Sequence, residues 1–176
     1  MEYFILKQDL RYANAVEPVD TASLLKRTPF QTDKTLPPEI DEEPIQLFIK
    51  KNQSPRYLDF IEGPAPLVSD RLKEILGKYE PGIFFKPVVL ADQKRRQQTL
   101  YWWMWTPPVD CLSGKSVFNK NGTIRQLVID GVKAAQSKVF QVAGLMEDYR
   151  LIRLDVAESL LRRDFSGIQL QRVTVA

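Results

Sequence analysis

Residues 99–113 read TLYWWMWTPPVDCLS and contain all three tryptophans of the chain. Four of the five residues from 101 to 105 are aromatic. Because side chains alternate between the two faces of a β-strand, a strand here places Leu100, Trp102 and Met104 on one face and Tyr101, Trp103 and Trp105 on the other. Both faces are therefore apolar. This pattern is typical of a strand at the centre of a sheet that is covered on both sides.

A surface that stacks nucleic-acid bases would instead place its aromatic side chains on one exposed face, beside arginine or lysine. We therefore predict that the strand is central and mainly structural, with Trp102 and Met104 on one packed face and Trp103 on the other. A mixed arrangement, with one face in the core and the other binding a partner, stays open. Pro107 and Pro108 end the strand, since proline cannot donate to a β-ladder.

The composition is that of an ordinary soluble globular protein, with 44% hydrophobic and 27% charged residues. We predict a single domain spanning 1–176. Histidine is absent, which removes the commonest general base and the commonest zinc ligand. Cys111 is the only cysteine, so no internal disulfide forms. The N-terminus does not resemble a signal peptide, and no apolar run approaches the roughly 20 residues of a membrane helix. We expect a cytoplasmic protein without membrane association.

The clearest helix pattern is SDRLKEILGKY, residues 69–79. Ser69 is a suitable N-cap, and the apolar residues follow at the spacing of one helical face. Pro81 and Gly82 end the helix, and GIFFKPVVL (82–90) follows as a strand. Pro87 within that strand predicts an edge position or a β-bulge.

A second unit of the same design lies near the C-terminus. Asp155 and Glu158 have the spacing of a capping box, and the buried face is predicted to comprise Val156, Leu160 and Leu161. The strand GIQLQRVTV (167–175) follows. The two helix–turn–strand units are either pseudo-repeated halves or short segments that converged on one pattern.

The remaining apolar runs predict strands at YFILK (3–7), PIQLFIK (44–50), TIRQLVI (123–129), KVFQVA (138–143) and YRLIRL (149–154). Asn121-Gly122 and Asp130-Gly131 are turn dipeptides that bracket one of them. Residues 14–44 are rich in proline and predict a long irregular segment. Together these elements predict an α+β fold with a mainly antiparallel mixed sheet and few helices.

Few residues indicate catalysis. Asp110, Cys111 and Ser113 form the only grouping that resembles a reactive cluster, and a turn in which Asp and Ser cap backbone amides is the favoured interpretation. No glycine-rich phosphate loop is present. We predict no cofactor, no metal and no catalytic residue. A small enzyme with a carboxylate- or Ser-based site stays an alternative.

Two charged clusters are candidate binding segments. Lys94, Arg95 and Arg96 form a tight basic cluster between two apolar runs, which predicts a solvated hairpin loop or, alternatively, a phosphate-binding site. We expect nucleic-acid binding to be weak and salt-sensitive, because cations cluster nowhere else. The acidic residues are Glu39, Asp41, Glu42 and Glu43.

The order of segments from APLVSDRLKEILGKYEPGIFFKPVVL through the aromatic strand, VDCLSGKSVF, TIRQLVID, KVFQVAG and LIRLDVAESLLRRDFSGIQLQRV resembles the bacterial immunity proteins that are encoded beside polymorphic toxins. The resemblance covers about residues 60–175. It implies a protein that binds and occludes a cognate toxin in the cytoplasm of the producing cell, without catalysis.

Under this resemblance, both charged clusters are candidates for contact with the toxin. The acidic residues Glu39, Asp41, Glu42 and Glu43 would meet a basic surface of the toxin, since complementary charge speeds association. Lys94, Arg95 and Arg96 are candidates for contact with the toxin without a specified complement. In the alternative interpretation both clusters are solvated loops.

Overall fold

The computed structural model describes residues 1–19 and 43–176. Within them lie three helices, α1 (Asp70–Tyr79), α2 (Gly131–Ala134) and α3 (Leu154–Leu161). The strands are β1 (Tyr3–Gln8), β2 (Pro18–Val19), β3 (Ile45–Ile49), β4 (Phe60–Ile61), β5 (Leu67–Val68), β6 (Phe84–Asp92), β7 (Gln97–Trp105), β8 (Pro108–Val109), β9 (Val117–Phe118), β10 (Ile124–Gln126), β11 (Val128–Ile129), β12 (Val139–Val142), β13 (Arg150–Arg153), β14 (Ile168–Arg172) and β15 (Thr174–Val175). No helix in the described ranges is long and apolar enough to cross a membrane.

Most of the strands form two sheets. The first sheet has the order β14-β1-β13-β12-β8, and the second has the order β2-β3-β6-β7-β5-β4. The pairs β9–β10 and β11–β15 form two small ribbons. Neighbouring strands are antiparallel except for β3–β6, β8–β12 and β11–β15, which are parallel. The predicted α+β class with a mainly antiparallel mixed sheet is therefore confirmed.

The second sheet is built around the β6–β7 hairpin, which pairs continuously from Phe84–Trp105 to Asp92–Gln97. Strand β7 lies between β6 and β5, so the prediction that the aromatic run forms a central strand is confirmed. Strand β6 is also interior, not an edge. Its pairing with β3 begins only at Val88, however. Pro87 is tolerated because it precedes the stretch that pairs with β3, so its missing N–H costs no hydrogen bond to that strand.

A central core lies between the two sheets and the helices α1 and α3. Each sheet and each of these helices supplies buried side chains, namely Leu6, Val139 and Ile152 from the first sheet, Phe60, Val68 and Met104 from the second, Leu72 and Leu76 from α1, and Val156, Ala157 and Leu160 from α3. The apolar stripe of α1 predicted from the sequence is thus buried against both sheets.

Each sheet packs a second cluster on its outer face. The outer face of the second sheet holds Leu47, Val88, Leu90, Tyr101 and Trp103. The outer face of the first sheet holds Tyr3, Ile5, Phe140 and Leu151, against Cys111, Ile129 and Ala134. Alternate residues of β7 therefore belong to different cores, as the two-sided pattern predicted.

The ends of the two main helices differ. At α1 the prediction is confirmed: the Ser69 Oγ accepts a hydrogen bond from the Leu72 N–H at 3.3 Å. At α3 the capping-box prediction is wrong. Arg153 occupies the N-cap position, and Asp155 lies inside the first turn. The Arg153 guanidinium holds the Asp155 carboxylate at 2.7 Å, so this carboxylate makes an ion pair instead of a cap.

Two further expectations about the C-terminal unit need correction. Leu161 is 72% exposed and is not part of the buried face of α3. The predicted strand 167–175 is divided, because β14 pairs with β1 whereas β15 crosses over to pair with β11. The unit also lies at the edge of the first sheet, while β6 is interior in the second. A pseudo-repeat of the two units stays a prediction.

The predicted strand 123–129 is divided as well. The Ser116 hydroxyl donates to the Val128 carbonyl at 2.8 Å and accepts from the Val128 N–H at 3.1 Å, which separates β10 from β11. Asp130-Gly131 begins α2 instead of forming a hairpin turn. The Asp130 Oδ1 accepts from the backbone N–H groups of Val132 and Lys133 at 2.9 and 3.2 Å. Only Asn121-Gly122 forms the expected turn, between β9 and β10.

Candidate functional site

The side chains of β7 that face the outer core of the second sheet have a structural role. Tyr101 and Trp103 are 2% and 4% exposed. The Tyr101 hydroxyl donates to the Leu58 carbonyl at 2.6 Å, and burial raises the pKa of Tyr101 well above its ordinary value. Neither ring presents a face to a ligand. The prediction of a core role is therefore confirmed for these two residues.

The opposite face of β7 changes from buried to exposed along the strand. Met104 is buried in the central core, Trp102 is half-buried, and Leu100 is 46% exposed. At the boundary, the Trp102 Nε1 donates to the Asp70 Oδ1 at 2.9 Å, and the Lys73 Nζ lies 3.3 Å from the centre of a Trp102 ring. Helix α1 therefore covers this face only as far as Trp102.

Beyond Trp102 the second sheet has an apolar face that the described residues leave open. The strand registers place Val19 opposite Phe48, and Val89 opposite Leu100. Phe48 is 39% exposed and Val19 is 37% exposed. The burial of β3 alternates, since Gln46 and Phe48 are exposed while Leu47 between them is buried. We call Val19, Phe48, Val89 and Leu100 the open face.

The predicted basic cluster lies at the hairpin end of this sheet, in the turn 93–96 between β6 and β7. Arg95 is held in place: its NH1 donates to the Asp92 carboxylate at 2.9 Å and to the Asn52 carbonyl at 3.1 Å, and its NH2 donates to the Gln53 carbonyl. Burial alone would raise the pKa of Asp92, but the hydrogen bonds from Arg95 together outweigh it, so the pKa is lowered. Arg95 therefore joins the hairpin to the segment after β3.

The neighbours of Arg95 are exposed. Lys94 and Arg96 project from the turn, and Arg96 has a left-handed backbone with φ of 53°. Lys51 lines one shallow depression with Lys94. Lys50 beside it is also exposed and pairs with Glu17 at 3.2 Å. We call Lys50, Lys51, Lys94 and Arg96 the basic rim. The two lysines are distant from the turn along the chain, so the sequence pattern does not indicate them.

Of the predicted acidic cluster, only Glu43 lies within the described residues, where it is exposed just before β3. Glu39, Asp41 and Glu42 lie outside them. The role proposed for the acidic cluster therefore stays a prediction, as does any contact of Lys94, Arg95 or Arg96 with a partner.

The candidate reactive cluster is structural. Cys111 is fully buried, and burial, together with the charge of Asp110, raises the pKa of its thiol to about 11. The thiol is therefore protonated at neutral pH and is a poor nucleophile. The Ser113 Oγ accepts from the Lys115 N–H at 3.3 Å, as expected for a turn. Among residues 1–19 and 43–176, no three acidic or cysteine side chains are grouped as metal ligands.

A cavity that the sequence did not indicate lies where β1 meets the segment 62–66 after β4 and the segment 147–150 that leads into β13. It has a volume of about 270 Å³ and is lined by Lys7, Glu62, Tyr149 and Arg150, among others. Burial lowers the pKa of Arg150, with partial compensation by the charges of Asp148 and Glu62. The Arg150 Nε has no hydrogen-bond partner among the described residues.

Comparison with known proteins gives one family. The model of a family described as Immunity protein family (Imm11) matches residues 2–117. The match begins at β1 and includes both strands of the central hairpin. It shares residues 60–117 with the segment that resembles immunity proteins by the order of its elements. A comparison with curated proteins gave no match. Because the family model covers more than half of the 176 residues, the chain belongs to the immunity protein family.

Proposed function

We propose that this protein binds a cognate bacterial toxin of a polymorphic toxin system and neutralises it by occlusion, without catalysis. The observation that carries the proposal is the family match over residues 2–117. Neutralisation by occlusion requires a stable scaffold and a complementary surface, and it requires no reactive side chain. The cytoplasm of the producing cell is where such a protein would protect that cell.

The roles of the candidate reactive residues support binding over chemistry. The Cys111 thiol is buried and protonated, and the Ser113 hydroxyl accepts from a backbone amide of its own turn. The surface, in contrast, offers an apolar sheet face beside exposed cations. Exposed apolar patches with a polar border are common at protein–protein interfaces.

The test uses the toxin domain that the proposed function leads us to expect in the adjacent gene. Cells that express the toxin domain alone should stop growing, and co-expression of this chain should restore growth. In vitro, inhibition should increase linearly with added protein and be complete at equimolar amounts, because an occluding protein is consumed by its target.

An enzymatic role makes a different prediction. An enzyme would inactivate the toxin at a small fraction of equimolar protein, and the toxin would stay inactive after separation. We expect instead that toxin recovered from the complex by denaturation and refolding regains its activity and its original mass. Absence of a complex, or absence of protection, would refute the proposed function.

A further inference from the structure

The open face and the basic rim together form one continuous surface at the hairpin end of the second sheet. Phe48 lies in register with Ala91, the last residue of β6 before Asp92, and Lys50 follows Phe48 by two residues. The turn that carries Lys94 and Arg96 closes the same end of the sheet. Apolar side chains are thus bordered directly by cations.

Packing of the core does not account for the apolar side chains on this surface. The outer face of the second sheet already buries Leu47, Leu90 and Tyr101, so the strands do not need Phe48 and Leu100 for packing. Both are large, apolar and more than one-third exposed. An apolar centre with a polar border is the usual arrangement of a protein-binding surface.

The charge of the rim indicates the chemistry of the partner. Glu17 pairs with Lys50, and the buried Asp92 carboxylate is held by Arg95. Neither acid neutralises Lys51 or Lys94, which face solvent. An acidic partner surface would neutralise these lysines, whereas a second copy of the chain would bring further cations to the same interface.

We propose that the toxin docks on the open face and the basic rim, and that it presents an apolar patch bordered by acidic side chains. This inference rests on the proposed function and deepens it. It assigns the contact to a different set of residues from those that the sequence indicated, because Arg95 is structural and Lys50 and Lys51 join the surface.

The test measures binding of the toxin domain encoded by the adjacent gene, by isothermal titration calorimetry. Leu100→Asp should weaken binding by about 30-fold or more, as expected for the centre of an interface. Leu161→Asp is the matched control, since Leu161 is an equally apolar, exposed residue that lies on α3 and not on the second sheet. We expect its affinity to stay within about threefold of wild type. Thermal melting should verify that both variants are folded.

The charged border is tested separately. The double variant Lys51→Glu/Lys94→Glu should slow association by about tenfold at low salt and weaken its salt dependence, because charge steers encounter. Lys120→Glu/Lys133→Glu, which changes two exposed lysines elsewhere, should change neither. An association rate of the wild type that does not depend on salt would overturn the acidic partner surface.

The remaining outcomes separate this inference from the proposed function. Wild-type binding that Leu100→Asp leaves unchanged overturns the docking surface while the immunity function stands. No binding by the wild type overturns both. Dimerisation of the wild type that Leu100→Asp abolishes, measured by sedimentation, would identify a second copy as the occupant and overturn the inference.

Discussion

Replacement of Trp103 by alanine should lower the free energy of unfolding by about 3–5 kcal/mol. Trp103 is 4% exposed and packs in the outer core of the second sheet. A buried aromatic side chain removes about 200 Å² from water, which corresponds to about 5 kcal/mol at about 25 cal/mol per Å². The retained methyl group accounts for about 1 kcal/mol of this. The sheet is too extensively paired to collapse onto the void.

Trp102 provides the internal comparison, because it lies next in sequence on the opposite face. It is half-buried and packs against the central core, and it also accepts the ammonium group of Lys73 on its ring and donates one hydrogen bond to Asp70. We expect Trp102→Ala to cost about 2 kcal/mol, from part of the transfer energy and a cation–π contact of about 0.5–1 kcal/mol. The two adjacent tryptophans should therefore differ by a measurable amount.

The assay is urea unfolding followed by far-UV circular dichroism, since fluorescence would change with each tryptophan removed. Typical stabilities of about 5–15 kcal/mol leave room to measure both losses. Trp103→Phe, which keeps an aromatic ring, should lose less than Trp103→Ala. A loss below about 1 kcal/mol for Trp103→Ala, or a larger loss for Trp102→Ala, would refute the assignment of β7 to two different cores.

Three further perturbations test other parts of the structure. Gly167→Ala should destabilise the protein by about 1–3 kcal/mol in urea unfolding, since Gly167 has φ of +78° and a Cβ there would lie 2.7 Å from Leu58. Gly114 has open space around it, so Gly114→Ala should be nearly neutral. Equal losses of stability in the two variants would contradict the strain assigned to Gly167. Arg150→Met should change stability by less than about 1 kcal/mol, because a buried and incompletely bonded guanidinium contributes little net stability, and a loss of about 3 kcal/mol would show that its charge is needed. The stability contributed by the protonated Cys111 thiol should be complete below pH 9.0, the ordinary pKa, and should be lost as pH rises through about 11. Unfolding measured across this pH range should show a smaller decrease in stability for Cys111→Ser than for wild type. An identical decrease in both proteins would contradict a role for the thiol.

Local patterns predicted the elements that are defined by neighbouring residues. The apolar spacing and N-cap of α1 are properties of one short segment, and both were correct. The alternation of β7 correctly placed Trp103 and Met104 in different cores. In each case the decisive interactions lie within the element or directly opposite it, so sequence spacing contains the information.

Predictions failed where a distant or competing partner decides the structure. Arg153 forms an ion pair with the Asp155 carboxylate, and α3 has no side-chain cap. Ser116, twelve residues from Val128, interrupts a continuous apolar run. The basic rim combines residues from two loops that only the sheet brings together, so a search for adjacent charges found half of it.

Strand β7 also explains why a core element and a binding surface can share one aromatic run. Its backbone fixes Tyr101 and Trp103 in the outer core, and the same backbone directs Leu100 to the open face. The position of Leu100 is therefore set by packing on the opposite side of the sheet. A surface that is rigid before binding loses little conformational entropy when the partner docks. On the docking proposed here, substitutions in the outer core that leave the protein folded should weaken toxin binding without touching the toxin, because they move the strand that carries the contact.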